Sequence, residues 1–358
     1  MHGDDTNVEP PIKPGLAEQY FRRNRIFAGM KNALDLFTEL GRRLVRFGQD
    51  EASRRAAELA QAANGWFTSG DIRRAAAAVA DGMLRRERLA SWLSHYPVPA
   101  AEPRRVLVVM AGNIPLVGFF DLLCVVAAGH RCLVKPSSKD RPLLEYVVAL
   151  LREIDPDAAV EFADGAETEA DAVIATGSDR ANRFFRTRYA ALPALLRGSR
   201  QSVAVLSGRE TERQLAGLAD DLFAYSGLGC RSVSLVFLPR GCGWRPTPLR
   251  MNPKYCRNYV QTKAVLVMQG VPFRDLGAAV MVERRAFPTA LSCICYTYYD
   301  DVSEVAAWLA EHDGELQCVV SECIAHSRRA DFGCAQRPAL TDYPDDRDVM
   351  EFLAGLGK

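Results

Sequence analysis

Apolar positions follow two different patterns along the 358 residues, and the change comes near residue 105. From Leu16 to Tyr96 the chain is rich in Ala, Leu, Arg and Glu, and Ile72, Ala76, Val79 and Met83 recur at helical spacing. Ser69 and Asp71 are the expected caps of that helix. Pro97, Pro99 and Pro103 end the helical stretch. Beyond them, Val106–Met110 predicts a buried strand, Leu116–Ala128 a helix and Arg131–Val134 a second strand. Asp140 and Pro142 open a helix running to about Ile154. Asp171–Thr176 predicts a third strand, Gly177-Ser178-Asp179 leads a helix through Tyr189, and Val203–Leu206 predicts a fourth strand. A helix over Glu210–Tyr225 follows. Further strands are expected at Val233–Leu238, Ala264–Met268, Ala279–Val282, Leu291–Tyr296 and Cys318–Val320, with a helix at Val302–Glu311. Residues 240–257, rich in Gly, Pro and Arg, read as an irregular insertion.

Strands alternating with helices over short connections predict an α/β fold with a parallel, doubly wound sheet. Ligands of such sheets bind at the carboxyl ends of the strands. Asn113, Lys135 and Gly177 all lie just past predicted strand ends, which puts three loops on one edge.

Composition narrows the class. Hydrophobic residues are 48% and charged residues 25%, as in a globular chain with a sizeable core. The +1 net charge balances 45 basic against 44 acidic residues, which argues against nucleic acid as a partner. Ten cysteines show no disulfide framework, and Cys293-Ile294-Cys295 is poorly spaced for zinc. No metal is expected, and a reduced, cytoplasmic protein is. Residues 1–14 read as disordered, without a secretory apolar core. The apolar stretch Leu122–Gly129 is too short to span a bilayer, so no membrane insertion is expected.

Candidate chemistry centres on Cys230, in Gly227-Leu228-Gly229-Cys230-Arg231, where a helix turns into a strand. Backbone donors or a nearby cation can stabilise a thiolate at such an elbow; a small buried residue at a helix stop fits the same spacing. His95, His130, His312 and His326 are scattered, so no Cys–His pair is indicated. Asn113, between Gly112 and Ile114-Pro115, can donate to an oxyanion or simply bond its own turn. Lys135, beside Ser137, Ser138 and Lys139, can meet an adenosine ribose and its phosphate, favouring NADPH over NADH, or be a solvated loop lysine. Gly177 and Ser178 suit a phosphate at a helix N-terminus or a plain cap. The Gly-x-Gly-x-x-Gly fingerprint is absent after the first strand.

The strings Ala111-Gly112-Asn113-Ile114-Pro115-Leu116-Val117-Gly118-Phe119, Lys135-Pro136-Ser137-Ser138-Lys139-Asp140, Ala175-Thr176-Gly177-Ser178 and Gly227–Ser234, with Phe332-Gly333-Cys334-Ala335-Gln336, are distributed from about Val106 to Leu353. Together they resemble the LuxC-type acyl-CoA reductases of the aldehyde dehydrogenase superfamily. The resemblance implies a Rossmann-type cofactor lobe and an α/β catalytic lobe after N-terminal helices. It divides the chain into a disordered 1–14, helices and NADP-binding domain over 15–207, a catalytic domain over 208–335, and a segment 336–358 packing on the cofactor domain or a partner subunit. It implies NADPH-dependent reduction of an acyl thioester, from acyl-CoA or an acyl-carrier protein, to an aldehyde through S-acyl-Cys230. Asn113 then holds the oxyanion, while Lys135, Ser137, Ser138, Gly177 and Ser178 hold the cofactor. Alternatives are an oxidative aldehyde dehydrogenase and a catalytically silent assembly partner of the same fold. Oxidative members carry a glutamate that activates water; here Arg197 or a neighbour in Leu196–Ser202 falls at that place. A cation there suits an anionic acyl carrier. Tyr96–Arg105 leaves little room for the superfamily's pairing hairpin, so the assembly stays open, with a homodimer favoured.

Overall fold

The computed structural model describes residues 32–163, 169–249 and 251–356, so the 1–14 segment lies outside the described residues. The chain opens with helix α1 (32–44), then α2 (Glu51–Ala63), α3 (Ser69–Gly82) and α4 (Arg86–Leu93). Next come β1 (Arg105–Val109), α5 (Phe119–Ala127), β2 (Arg131–Lys135), α6 (Arg141–Ile154), β3 (Val160–Phe162), β4 (Ala172–Thr176), α7 (Asp179–Arg188) and β5 (Ala194–Arg197). The second half runs β6 (Gln201–Val205), α8 (Glu212–Phe223), β7 (Val233–Pro239), α9 (Pro253–Met268), β8 (Arg274–Asp275), β9 (Val280–Glu283) and β10 (Cys293–Tyr299). It closes with α10 (Val302–Glu311), β11 (Leu316–Val320), β12 (Arg329–Ala330) and α11 (Val349–Gly355).

Two sheets result. The first is parallel throughout, in the order β3-β2-β1-β4-β5. The second has seven strands in the order β12-β11-β6-β7-β10-β9-β8, and only the β8–β9 pair is antiparallel. The predicted α/β fold with parallel sheets is therefore the observed one. The predicted strand at Val203–Leu206 is β6, and it joins the second sheet rather than continuing the first. The chain changes sheets between Arg197 and Gln201, ahead of the boundary expected at 207.

Strand alternation decides the two faces of the first sheet. Val106, Val108, Cys132 and Val134 turn into a core shared with α1 to α6, whereas Leu107, Leu133, Val173 and Ala175 turn to the α7 side. The first of these cores also takes Val349, Met350 and Leu353 of α11, and buried His130 contacts the Leu353 carbonyl at 3.1 Å. The C-terminal segment thus packs on the same lobe as β1. Within this core, Phe119, Leu122 and Leu123 of α5 are fully buried, each contributing about 1.5–3 kcal/mol relative to exposure. That burial holds the N-terminus of α5, and with it the loop that follows β1.

Several expectations are corrected. Ala264–Met268 is the last turn of α9, with Leu266 buried while Val265, Val267 and Met268 face outward. A run of five apolar residues does not by itself separate helix from strand. Thr68 caps α3, accepting from the Asp71 N–H, in place of Ser69 and Asp71. Helix α5 starts at Phe119 because Leu116 has φ 57, outside the helical region. Strands β3 and β5 are too short to show periodicity. Within 240–257, α9 already begins at Pro253, so the stretch is not irregular to its end.

Candidate active site

The elbow after α8 is built by three consecutive left-handed residues, Tyr225 (φ 52), Ser226 (φ 56) and Gly227 (φ 66). Only the last is a glycine, so the surroundings must hold Tyr225 and Ser226 in place. Both are buried, and Tyr225 packs with Ala75, Ala224 and Ile114. The turn leaves Cys230 exposed just before β7. Behind it, the Ser202 hydroxyl donates to the Cys230 carbonyl at 2.8 Å and accepts the Cys318 N–H at 3.1 Å. Beyond it, Ser232 N–H reaches the Gly229 carbonyl at 3.0 Å, and Gln336 donates to the Ser232 hydroxyl at 3.1 Å. Hydrogen bonds on both sides thus hold the backbone that carries the thiol.

Asn113 comes to this elbow from the other sheet. Its Nδ2 donates to the Leu228 carbonyl at 2.7 Å, two residues before the cysteine. A carboxamide nitrogen carries two hydrogens, so a second N–H is left to donate elsewhere.

Cys230 lies in the wall of a cavity of about 150 Å³. Ala75, Ala78 and Val79 of α3, with Met83 just past its end, form one apolar side, Leu116, Phe119 and Phe120 another. Arg231, Gln317, Gln336 and Asp342 supply the polar side. Desolvation between these walls pushes the Cys230 thiol above the usual thiol range, and the Arg231 guanidinium opposes the shift. Among the described residues no histidine lines the cavity, and the one carboxylate there, Asp342, accepts the Ala339 N–H at 2.8 Å.

The remaining predicted residues lie along the carboxyl edge of the first sheet. Lys135 is the exposed end of β2, and exposed Ser138 and half-buried Ser137 follow it. Gly177 and Ser178 follow β4, where the Ser178 hydroxyl caps α7 by accepting the Ala181 N–H at 3.3 Å. With β1 between them, the ends of β2 and β4 lie roughly 10 Å apart. So the structure joins Asn113 directly to the Cys230 elbow and sets the lysine and glycine loops to either side of it.

Of the candidates expected at the glutamate's place, Arg197 or a neighbour, Arg197 is not open to a carrier. It is 2% exposed, and one guanidinium nitrogen donates to both carboxylate oxygens of buried Asp121 at 2.8 Å. A side chain sealed this way cannot meet an anionic carrier. The sequence reading also missed the α3 side of the cavity. Ala75 and Ala78, three apart in the alanine run and so on one side of the helix, were its signal, since small residues leave room beside them.

Residues 83–246 match the family model of acyl-CoA reductase (LuxC), a span that includes Asn113, Lys135, Gly177, Ser178 and Cys230. This stretch is a LuxC-type domain. No curated protein matches the chain. Among solved structures, aldehyde dehydrogenase 21 from Physcomitrella patens, with succinate as product, is 11% identical at a TM-score of 0.64 over 92% of this chain and 84% of its own. Succinic semialdehyde dehydrogenase from Streptococcus pyogenes, in complex with NADP+, is 12% identical at a TM-score of 0.59, over 88% and 83%. Proline utilization A from Corynebacterium freiburgense is 14% identical at a TM-score of 0.58 over 83% of this chain, which spans only 39% of that longer protein. At such identities the likeness concerns the fold, and the fold around the LuxC-type domain is that of the aldehyde dehydrogenases. Domain match and fold together support an oxidoreductase acting on aldehyde or acyl groups. Among the described residues, no helix is long and apolar enough to cross a membrane.

Proposed function

We propose that the protein reduces an acyl thioester, acyl-CoA or acyl-carrier protein, to an aldehyde, using NADPH and a covalent S-acyl-Cys230. The observation that carries this reading is the exposed Cys230 thiol in the wall of an apolar cavity, with Asn113 bonded to its elbow. In its ionised form the thiolate attacks the thioester carbonyl, and the free Asn113 N–H donates to the oxygen as it gains charge. The donor thiol leaves with a proton, and the acyl chain stays on sulfur along α3 and Phe119. When bound, the nicotinamide supplies hydride to the acyl carbon. The resulting thiohemiacetal of Cys230 collapses to aldehyde and free thiolate, with Asn113 again holding the oxygen.

The chain's residues fit such a cofactor. Lys135 and Lys139 are exposed without an ion pair among the described residues, and Ser178 opens α7 on the same edge. That donor set suits the phosphates and ribose of a dinucleotide, with the lysines toward a ribose phosphate. Among the described residues no glutamate lines the cavity to activate water, which favours reduction by hydride over hydrolysis.

The test is mass spectrometry after incubation with acyl-CoA alone. An acyl adduct on Cys230 that disappears on adding NADPH, with aldehyde appearing, is expected, and Cys230→Ala should show neither. Full activity in that variant overturns the reading. Free acid as product points to an oxidative enzyme, and an unreactive Cys230 to an assembly role.

A further inference from the structure

The loop carrying Asn113 is held at both ends by side chains outside the proposed chemistry. At its start, Asn64 donates through Nδ2 to the Gly112 carbonyl at 3.1 Å, while its own oxygen accepts the Trp66 N–H. At its far corner stands Leu116, a buried non-glycine residue with φ 57, whose N–H is accepted by Asp140 Oδ2 at 2.9 Å. Asp140 is fully buried. It sits at the N-cap position of α6, yet its side chain makes no cap bond to that helix. Its second oxygen, Oδ1, is buried with no partner among the described residues. A buried carboxyl that forgoes the usual cap and leaves an oxygen unsatisfied is costly for stability, and its gain is the hold on Leu116. The two loops also touch, since a Cβ on Gly112 would lie 2.5 Å from the Ser137 Cβ.

We infer that Asp140 is a positioning residue for Asn113: by fixing the left-handed Leu116 corner it keeps the carboxamide against Leu228, beside Cys230. The line of contact runs from the Asp140 carboxyl through the Leu116 N–H and the short 113–116 segment to the Nδ2–Leu228 bond. The role needs an acceptor at Oδ2, not a charge. Burial agrees, pushing the carboxyl far above the usual range and favouring the neutral acid. Asparagine has the shape of that acid and keeps a carbonyl for Leu116, whereas alanine has no acceptor.

The inference rests on the proposed reductase reading, and its test separates the two. Hydrogen exchange over residues 111–118 needs no activity. Asp140→Ala should exchange at least tenfold faster there than wild type, and Asp140→Asn should match wild type. In the acyl-thioester assay, D140N should stay within threefold of wild type, while D140A loses about as much kcat as Asn113→Ala with KM for cofactor unchanged. The double variant D140A/N113A should be no slower than N113A alone, because both act through one group. Multiplying losses, or D140N as slow as D140A, overturn the inference while wild type remains active. If D140A does not fold, Asn64→Ala takes its place in the same cycle, and independent losses there count equally against the idea. A wild type that forms no S-acyl adduct sinks the reductase reading instead, and the exchange rates still decide the Asp140 question.

Discussion

The Nδ2 of Asn113 lies 2.7 Å from the carbonyl oxygen of Leu228, although 115 residues separate them in sequence. One bond therefore ties the loop after β1 of the first sheet to the elbow before β7 of the second. Replacing Asn113 by alanine should cost about 10²–10³ in kcat with little change in substrate KM, as for loss of an oxyanion donor. Steady-state kinetics on N113A check this. A variant that instead raises KM at full kcat places Asn113 in ground-state binding.

Acyl selectivity should respond to α3. Ala78 lines the cavity opposite Phe119 and Phe120, and on the proposed reading a larger side chain there takes up volume needed by the acyl tail. Ala78→Leu should move the preferred chain length down, changing the ratio of kcat/KM between long and short donors by about 10–200-fold. A panel of thioesters of increasing length, followed by cofactor oxidation, reads this directly. The Cys230 adduct with the shortest donor should be unaffected.

The buried ion pair should be structural. Breaking it one-sidedly with Arg197→Met leaves Asp121 uncompensated in the core and should cost about 3–5 kcal/mol. The double replacement Arg197→Met with Asp121→Leu should recover most of that loss. Denaturant unfolding of the two single variants and the double one measures it.

Stability should depend on pH through Asp221. This buried carboxylate accepts the Gly333 and Ala335 N–H groups at 2.7 and 3.0 Å, holding the loop that carries Gln336 into the cavity wall. Desolvation pushes it up to about 7 despite those two bonds. Its folded value is thus raised, so between about pH 4 and 7 the folded protein keeps a proton that the unfolded chain releases. Stability from this group is greatest below that window and falls as pH rises through it, by at most roughly 4 kcal/mol. Unfolding curves across pH 4–8 should show the decline, and Asp221→Asn should flatten it.

Reactivity of Cys230, the proposed nucleophile, should be low at neutral pH without ligand. Desolvation raises the Cys230 thiol and Arg231 opposes it, so Arg231→Met should shift the pH profile of Cys230 alkylation to still higher pH. Rates of iodoacetamide labelling with peptide mapping test the direction.

The primary chain by itself determined the α/β alternation, the change of pattern near residue 105 and the loops that bear Asn113, Lys135, Gly177 and Cys230. Those features are local, set by the period of apolar residues, by proline, and by glycine where the backbone must turn sharply. Helix α10 was legible to the residue because its register and its Asp301 cap agree. The end of α9 was not, because exposed valines carry no period of their own. Tertiary structure alone decided which sheet takes β6, that Arg197 is sealed against Asp121, and that Asp140 turns from its helix to Leu116. Each is a competition between partners far apart in sequence for the same hydrogen bond or the same buried space, and only the packed chain resolves it.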